Sequence, residues 1–373
     1  MKKLIRLSKS CISNLEKKAV ERVLSKEHLG MGDEVQVFEK KLKKMLNRPV
    51  VCVNSGTAAL HLALQACGIG AGDEVLVPSI TYVSSFQSIS ATGAKAIPCD
   101  VNENNLIINL KDSEKRLTKK TKAIMPVHFS GSVGELDELY KFAKKNNLRV
   151  IEDAAHAFGT TYKKKVIGSF GDITCFSFDG IKNITSGEGG CLVTNDKKII
   201  QSSKDARLLG VINDTEKRFS AQRSWDFDVK RQGWRYHMSN INAAIGIAQL
   251  KRFKLLTKQR QNSCKYYDSL FKKQNKIMIF KRNYDLEVPH IYVVKINKMK
   301  NRNNLRKKLI KLGIQTGVHY FPNHKLSKYK LNTIKKLKVT DKMYKKLLTL
   351  PLHPDISKND IKRVVNSLSK VLL

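Results

Sequence analysis

The chain is expected to fold as an α/β protein. A mostly parallel central sheet would build a large domain, and a smaller α+β domain would follow at the C-terminus. Three observations point there. From residue 50 to about residue 245, short near-continuous apolar runs alternate with helical stretches, the mark of strands buried on both faces between crossover helices. Beyond the following long helix the pattern changes, and HIYVVKI (290–296) alternates like a half-buried strand. The length of 373 residues also exceeds one domain of roughly 150.

The elements follow in order. LEKKAVERVL (15–24) and VQVFEKKLKKML (35–46) carry apolar residues three and four apart, so both read as helices, with GMGDE (30–34) turning between them. VVCV (50–53), EVLVP (74–78), KAIPCD (95–100), KAIMPV (122–127) and RVIEDA (149–154) read as strands. TAALHLALQACG (57–68), TYVSSFQSISATG (81–93) and ELDELYKFAKKNN (135–147) read as helices between them. ITCFSF (173–178) and GGCLVTN (189–195) are the last clear strands of the series. A long helix covers 241–271; a helix over 303–313, a strand around IQTGVHY (314–320) and a final helix from about Lys358 complete the smaller unit. The division is an N-terminal segment 1–25 packing near the small domain, a large domain 26–250, and a small domain 251–373.

The formal charge is +38. The excess is mostly Lys, spread over the whole length, without a basic tail or the interleaved Arg and aromatic residues of a base-reading surface. That argues against a nucleic-acid partner and leaves a field favouring an anionic substrate. The seven cysteines are odd in number and include no CxxC pair, so neither a disulfide framework nor a structural zinc site is expected. No run of about 18 apolar residues exists, so no membrane insertion is expected. The basic start MKKLIRLSKS lacks a following apolar core, and a cytoplasmic protein is expected.

Three segments carry chemistry. In VNSGTAALHLAL (53–64), Ser55, Gly56, Thr57 and Ala58 stand at a strand-to-helix turn, where free N–H groups and the helix dipole form a cup for a phosphate. An ordinary N-cap accounts for the same residues. In VIEDAAHAFG (150–159) a strand ends at Glu152-Asp153, where open α/β sheets bind ligands, and His156 follows. Asp153 there suits a protonated ring nitrogen; capping of the next segment is the plainer alternative. In DITCFSFDGIKNITSGEGGCLVTND (172–196), Lys182 sits in a Gly-bounded loop between two apolar strands. Burial lowers a lysine's pKa and frees a nucleophilic amine, whereas a surface loop would leave it ordinary. A phosphate cup, a strand-end Asp and a loop Lys are together the parts that hold pyridoxal 5'-phosphate (PLP), and Lys182 lies 29 residues after Asp153.

The same segments resemble the DegT/StrS-type nucleotide-sugar aminotransferases, a branch of the fold-type-I PLP enzymes. GMGDEVQVFEKKL, NSGTAALHLAL, DEVLVPSITYVSSFQSI, PVHFSG, EDAAHAFG, CFSFDGIKNITSGEGG, GWRYHMSNINAAIGIAQL, GVHYFPNHKLSKY and LPLHPDIS follow the family's order along nearly the whole chain. The resemblance implies that Lys182 bonds to the cofactor aldehyde and shuttles a proton. It implies that Asp153 pairs with the pyridinium nitrogen, His156 contacts the ring's hydroxyl face and Tyr82 stacks on the ring. Gly56, Thr57 and Ser177 would hold the phosphate, and His319 and Tyr320 would lie near the sugar nucleotide. Two departures stand out. Asp179 occupies a position where many members carry His, beside the substrate, and Gly180 replaces Pro. RYHMS (235–239) replaces NYRMS, so Arg235 is expected to reach a phosphate across a dimer interface.

The resemblance thus implies a homodimer that aminates a nucleotide-linked keto sugar with glutamate as donor. The form of the Lys loop leans toward C4 of a 4-keto-6-deoxy sugar rather than C3. Such products feed surface polysaccharide, lipopolysaccharide and O-antigen. A sugar dehydratase of the family would carry His in place of Lys182. A catalytically inactive PLP-fold interaction protein is the alternative of another class.

Overall fold

The computed structural model describes residues 3–272, 274–297, 299, 301–330 and 336–372. Helices α1 (Asn14–Ser25) and α2 (Asp33–Leu46) precede the main sheet. Then follow β1 (Val50–Val53), α3 (Gly56–Ala66), β2 (Glu74–Pro78), α4 (Val83–Ala91), β3 (Lys95–Cys99), α5 (Leu110–Glu114), β4 (Thr121–Ile124), α6 (Leu136–Lys145) and β5 (Arg149–Asp153). A short hairpin of β6 (Thr161–Tyr162) and β7 (Lys165–Val166) leads to β8 (Ile173–Ser177), β9 (Gly190–Val193), α7 (Lys197–Ala206) and α8 (Asp214–Phe219). The 32-residue α9 (Asn240–Phe271) runs on to β10 (Ile277–Ile279), β11 (Tyr292–Ile296), α10 (Arg302–Lys311), α11 (Lys338–Tyr344), β12 (Leu347–Leu350) and α12 (Lys358–Leu372).

Seven strands form the main sheet in the order β1-β9-β8-β5-β4-β2-β3. Strand residues alternate between two apolar layers. Val50 and Cys52 join Phe38, Leu42 and Phe176 on one face, while Val51 and Val53 join Leu60 and Leu64 on the other. This is why the strands read as unbroken apolar runs. The sheet is parallel from β8 through β5, β4 and β2 to β3, but β9 lies antiparallel to both β8 and β1. The sequence marked β9 as a strand without its direction. The segment joining it to β8 contains no crossover helix, so the chain can only return antiparallel.

β10, β11 and β12 form a separate antiparallel sheet, packed with α9 and α12 over Tyr267, Tyr292, Leu348 and Val364. The expected strand at IQTGVHY is not formed. Its backbone makes only isolated bridges, Ile314 to Ile5 and Gly317 to Thr349, and β12 takes the third place in the sheet instead. The N-terminal segment runs alongside: the Ile5 N–H donates to the Gly313 carbonyl at 2.8 Å, and the Leu352 N–H to the Leu7 carbonyl at 3.0 Å. All seven cysteines are free thiols.

Because β1, β2, β5 and β8 run the same way, their C-terminal ends share one edge of the sheet. The connections leaving that edge carry Ser55–Thr57, Ser79–Tyr82, Asp153–His156 and Ser177–Lys182.

Candidate active site

These connections surround a cavity of about 430 Å³. Its floor begins at α3. Ser55, the N-cap in extended conformation, accepts from the Ala58 N–H at 3.1 Å, leaving the N–H groups of the first turn at the cavity wall. The predicted cup residues Gly56, Thr57 and Ser177 all line the cavity. Both glycines at this end are required by close approach. A Cβ on Gly56 would lie 2.8 Å from the Ser177 Cβ, and one on Gly190 would lie 2.6 Å from the Gly56 nitrogen.

Asp153 reaches the cavity from the end of β5. Its Oδ2 accepts from the Ser85 hydroxyl at 2.7 Å and its Oδ1 from the Ala155 N–H at 3.2 Å. Ser85 Oγ lies 2.9 Å from Thr81 Oγ1. Since the Ser85 proton goes to the carboxylate, the Thr81 hydroxyl donates to Ser85, and a buried donor chain holds the acid. Nothing in the local sequence around Ser85 and Thr81 singles them out beyond their i, i+4 spacing at the start of a helix, on its inward side, which is the signal that could have found them.

Lys182 lines the cavity opposite, in the loop between β8 and β9. Its amine is pushed below the usual lysine range, by burial above all and further by the Arg260 charge, against the opposing pull of Asp179 and Asp153. Asp179 shapes the loop: its Oδ1 accepts from the Ile181 N–H at 3.2 Å and its carbonyl from the Lys182 N–H at 3.1 Å. The buried guanidinium of Arg260 bonds the carbonyls of Ile181 and Lys182, a role with no signature in a Lys-rich helix.

His156 lines the cavity beside His290, with ring centroids 4.4 Å apart. Its Nδ1 accepts from the Ser130 N–H at 3.2 Å, so the proton sits on Nε2, which donates to the Tyr320 hydroxyl at 3.0 Å. Burial, with the positive charge of Lys182 as the next cause, holds this imidazole far below the ordinary histidine range and hence neutral. Both ring nitrogens are thereby engaged inside the protein, and the imidazole face is what remains for a ring substituent. His290, at the start of HIYVVKI, is likewise held neutral by burial. His319 is pushed down to about 4 by burial and by Lys182, with Nδ1 2.8 Å from Thr349 Oγ1.

Tyr82, 59% exposed, stands at the mouth with its ring 5.8 Å from that of Tyr320. Glu188 joins Asp179 in the lining, and its carboxyl is raised by partial burial and by Asp179. The structure thus brings ten of the eleven expected site residues to one cavity. The exception is Arg235, which is exposed and lines no part of its own chain's cavity; its carbonyl accepts from Asn54 Nδ2 at 3.3 Å. Among the described residues no cluster of three or more His, Cys, Asp or Glu is placed to hold a metal ion.

A lysine whose amine is held below its usual range, a strand-end carboxylate and an anion cup on one cavity are the equipment of a PLP enzyme, and comparison with known proteins agrees. The model of the DegT/DnrJ/EryC1/StrS aminotransferase family matches residues 10–369. The chain belongs to this family. The spore coat polysaccharide biosynthesis protein SpsC of Bacillus subtilis is 35% identical, with 97% of this chain and 95% of SpsC covered. Among solved structures, the putative sugar aminotransferase Spr1654 of Streptococcus pneumoniae in its PMP form superposes with a TM-score of 0.91 at 28% identity, covering 98% of each chain. Helicobacter pylori PseC, an aminotransferase involved in the biosynthesis of pseudoaminic acid, gives 0.91 at 27% identity, covering 99% of each chain.

The cofactor of the DegT/DnrJ/EryC1/StrS aminotransferases is PLP. The residues present fit it. Gly56 lets Ser177 close on the helix start that forms the cup, Asp153 is already oriented by two donors, and Lys182 carries a lowered amine.

Proposed function

We propose that this chain transfers the amino group of glutamate to a nucleotide-linked keto sugar, and that the acceptor is a 4-keto-6-deoxyhexose aminated at C4. The observation that carries the aminotransferase reading is the pairing of Lys182 with the donor-held Asp153 across one cavity that also contains the anion cup. The sugar part of the reading draws support from the names of SpsC, Spr1654 and PseC. Asp179, Glu188, His319 and Tyr320 line the same cavity and offer donors and acceptors to a hydroxylated substrate.

Bound here, PLP would supply a carbonyl carbon that exchanges nitrogen and a ring that draws electrons from the carbon losing a proton. The chain's residues do the rest. The N–H groups of Gly56 and Thr57 and the hydroxyls of Thr57 and Ser177 bind the phosphate. Asp153 keeps a positive charge on the ring nitrogen, and Ser85 and Thr81 hold Asp153 in place. Tyr82 covers the ring and excludes water. Lys182 Nζ would move one proton in each half-reaction, from the donor's α-carbon to the carbonyl carbon that PLP supplies and, in return, from that carbon to the sugar carbon. His156, neutral and fixed by Ser130, orients Tyr320.

We further propose a homodimer in which Arg235 completes the phosphate site of the partner, a reading supported by its exposed position outside its own cavity. Division at residues 25 and 250 and a place in cytoplasmic synthesis of surface polysaccharide, lipopolysaccharide or O-antigen belong to the same reading. No helix among the described residues is long and apolar enough to cross a membrane. The test is a screen of keto-sugar nucleotides against the protein preloaded with PLP and glutamate, scoring 2-oxoglutarate and the amino sugar. A product aminated at C3, or none from any keto-sugar nucleotide, would overturn the acceptor assignment.

A further inference from the structure

Arg260 is an unusual residue to find where it lies. It stands on α9 and is 1% exposed. Among the described residues no carboxylate forms an ion pair with it. Its Nη1 donates to the His290 carbonyl at 3.0 Å, and its Nη2 to the carbonyls of Ile181 and Lys182 at 3.2 Å each, while Nε finds no partner. Burying a guanidinium without a counter-ion costs several kcal/mol. Neutral donors could hold three carbonyls at lower cost. The positive charge itself therefore calls for a use, and the bonded carbonyls show where it acts. One belongs to Lys182, one to the residue before it, and one to His290, which lines the cavity with Lys182.

We propose that Arg260 is a positioning residue for Lys182: its guanidinium clamps the lysine segment to the His290 carbonyl and fixes a positive charge beside the buried amine. The consequence is electrostatic. A guanidinium does not give up its proton at neutral pH, and Arg260, pushed down by burial to about 10, stays charged there. Two like charges in one buried volume favour loss of the proton from the weaker base, which is the lysine. The other groups around the amine are accounted for. Asp179 and Asp153 favour its charged form, and burial opposes it. His156, His290 and His319 are neutral, and Glu188 is at the exposed rim. Around Arg260 itself lie the thiols of Cys264 and Cys11. Arg260 thus adds to burial in opposing the pull of the two carboxylates.

This inference rests on reading Lys182 as the lysine that bonds the cofactor, so the test separates the two. The full-length chain, freed of cofactor, is acetylated with limiting acetic anhydride from pH 6 to 11, and Lys182 is followed by peptide mass spectrometry against the exposed Lys17 and Lys40. In the wild type the Lys182 midpoint is expected below that of the exposed lysines. In Arg260→Gln it should rise by about one pH unit, and in Arg260→Lys, which keeps the charge, it should return to the wild-type value. A wild-type midpoint equal to that of Lys17 and Lys40, or an unmoved midpoint in folded Arg260→Gln, overturns the proposal. If Arg260→Gln does not fold, Arg260→Met, which fills the site without a charge, takes its place: a raised Lys182 midpoint supports the proposal, and an unmoved one overturns it. PLP added to the same wild-type preparation tests the parent reading separately, through the visible band of a lysine-bound pyridoxal group.

Discussion

Ser85→Ala removes one oxygen from the interior and tests how Asp153 is held. Ser85 is fully buried and donates to Asp153 Oδ2 at 2.7 Å, while Asp153 is 5% exposed. Without that donor the carboxylate keeps only the 3.2 Å bond from Ala155. A hydrogen bond to a charged group is worth about 1.5–3 kcal/mol. Thr81, now without its acceptor on Ser85, is the nearest hydroxyl of the chain that held the acid. If about half of that energy serves to aim Asp153 at the cofactor, PLP should bind roughly 3–10-fold more weakly. The rest should appear as lower thermal stability of the cofactor-free protein. Equilibrium dialysis with PLP and calorimetry of the cofactor-free protein read the two quantities. Ser88→Ala is the control. Ser88 is on the same helix and as deeply buried, but donates only to the Ser85 carbonyl, and PLP affinity should not change. Equal PLP affinity in Ser85→Ala and wild type would refute the claim that this serine orients the acid.

Other outcomes follow from the same geometry. Gly56→Ala places a methyl 2.8 Å from the Ser177 Cβ, so PLP affinity should fall at least about tenfold and be partly restored in the double variant with Ser177→Gly, measured by the same dialysis. Gly190→Ala drives a methyl to 2.6 Å from main-chain atoms that cannot move aside, and should cost about 3 kcal/mol or more of stability, read as a fall in melting temperature. Asp153→Asn should keep bound PLP but slow transamination by about 10²-fold or more, read by single-turnover absorbance with glutamate. His319 has a folded-state pKa of about 4 against an ordinary 6.5. Between those values the unfolded chain binds the proton that the folded one refuses, so its contribution is full above about 6.5 and is lost as the pH falls toward 4. The loss reaches about 3 kcal/mol. His319→Gln should flatten the melting temperature against pH in that window, and an unchanged slope would count against the buried neutral imidazole.

Most of the fold was legible because its strands are buried on both faces and its helices carry apolar stripes, so each announces itself by local period alone. What local period does not encode is direction. The antiparallel course of β9 depends on the missing crossover helix between Phe178 and Gly189. IQTGVHY has strand composition, yet β12 outcompetes it for the edge of β11. At the site, Lys182, Asp153 and the Gly56 cup were legible since each combines an unusual residue with a turn at a strand end. Ser85, Thr81, Ser130 and Arg260 were not, because each acts through another residue and its meaning exists only once distant segments meet. His290 falls in the same class: it looks like the first residue of a strand, and only the fold sets its ring against that of His156. Arg235 was legible as a departure in sequence, but a single chain leaves it outside the cavity.

The central claim is that Lys182 and Asp153 work on one PLP molecule. The most direct measurement is the visible absorbance spectrum of the purified protein with PLP, before and after glutamate, for wild type and Lys182→Ala. The account expects a lysine-bound pyridoxal band in the wild type that gives way to the pyridoxamine spectrum on adding glutamate, and neither the band nor its loss in Lys182→Ala. A wild type that shows no such band, or a Lys182→Ala protein that shows it and responds to glutamate as the wild type does, would contradict it.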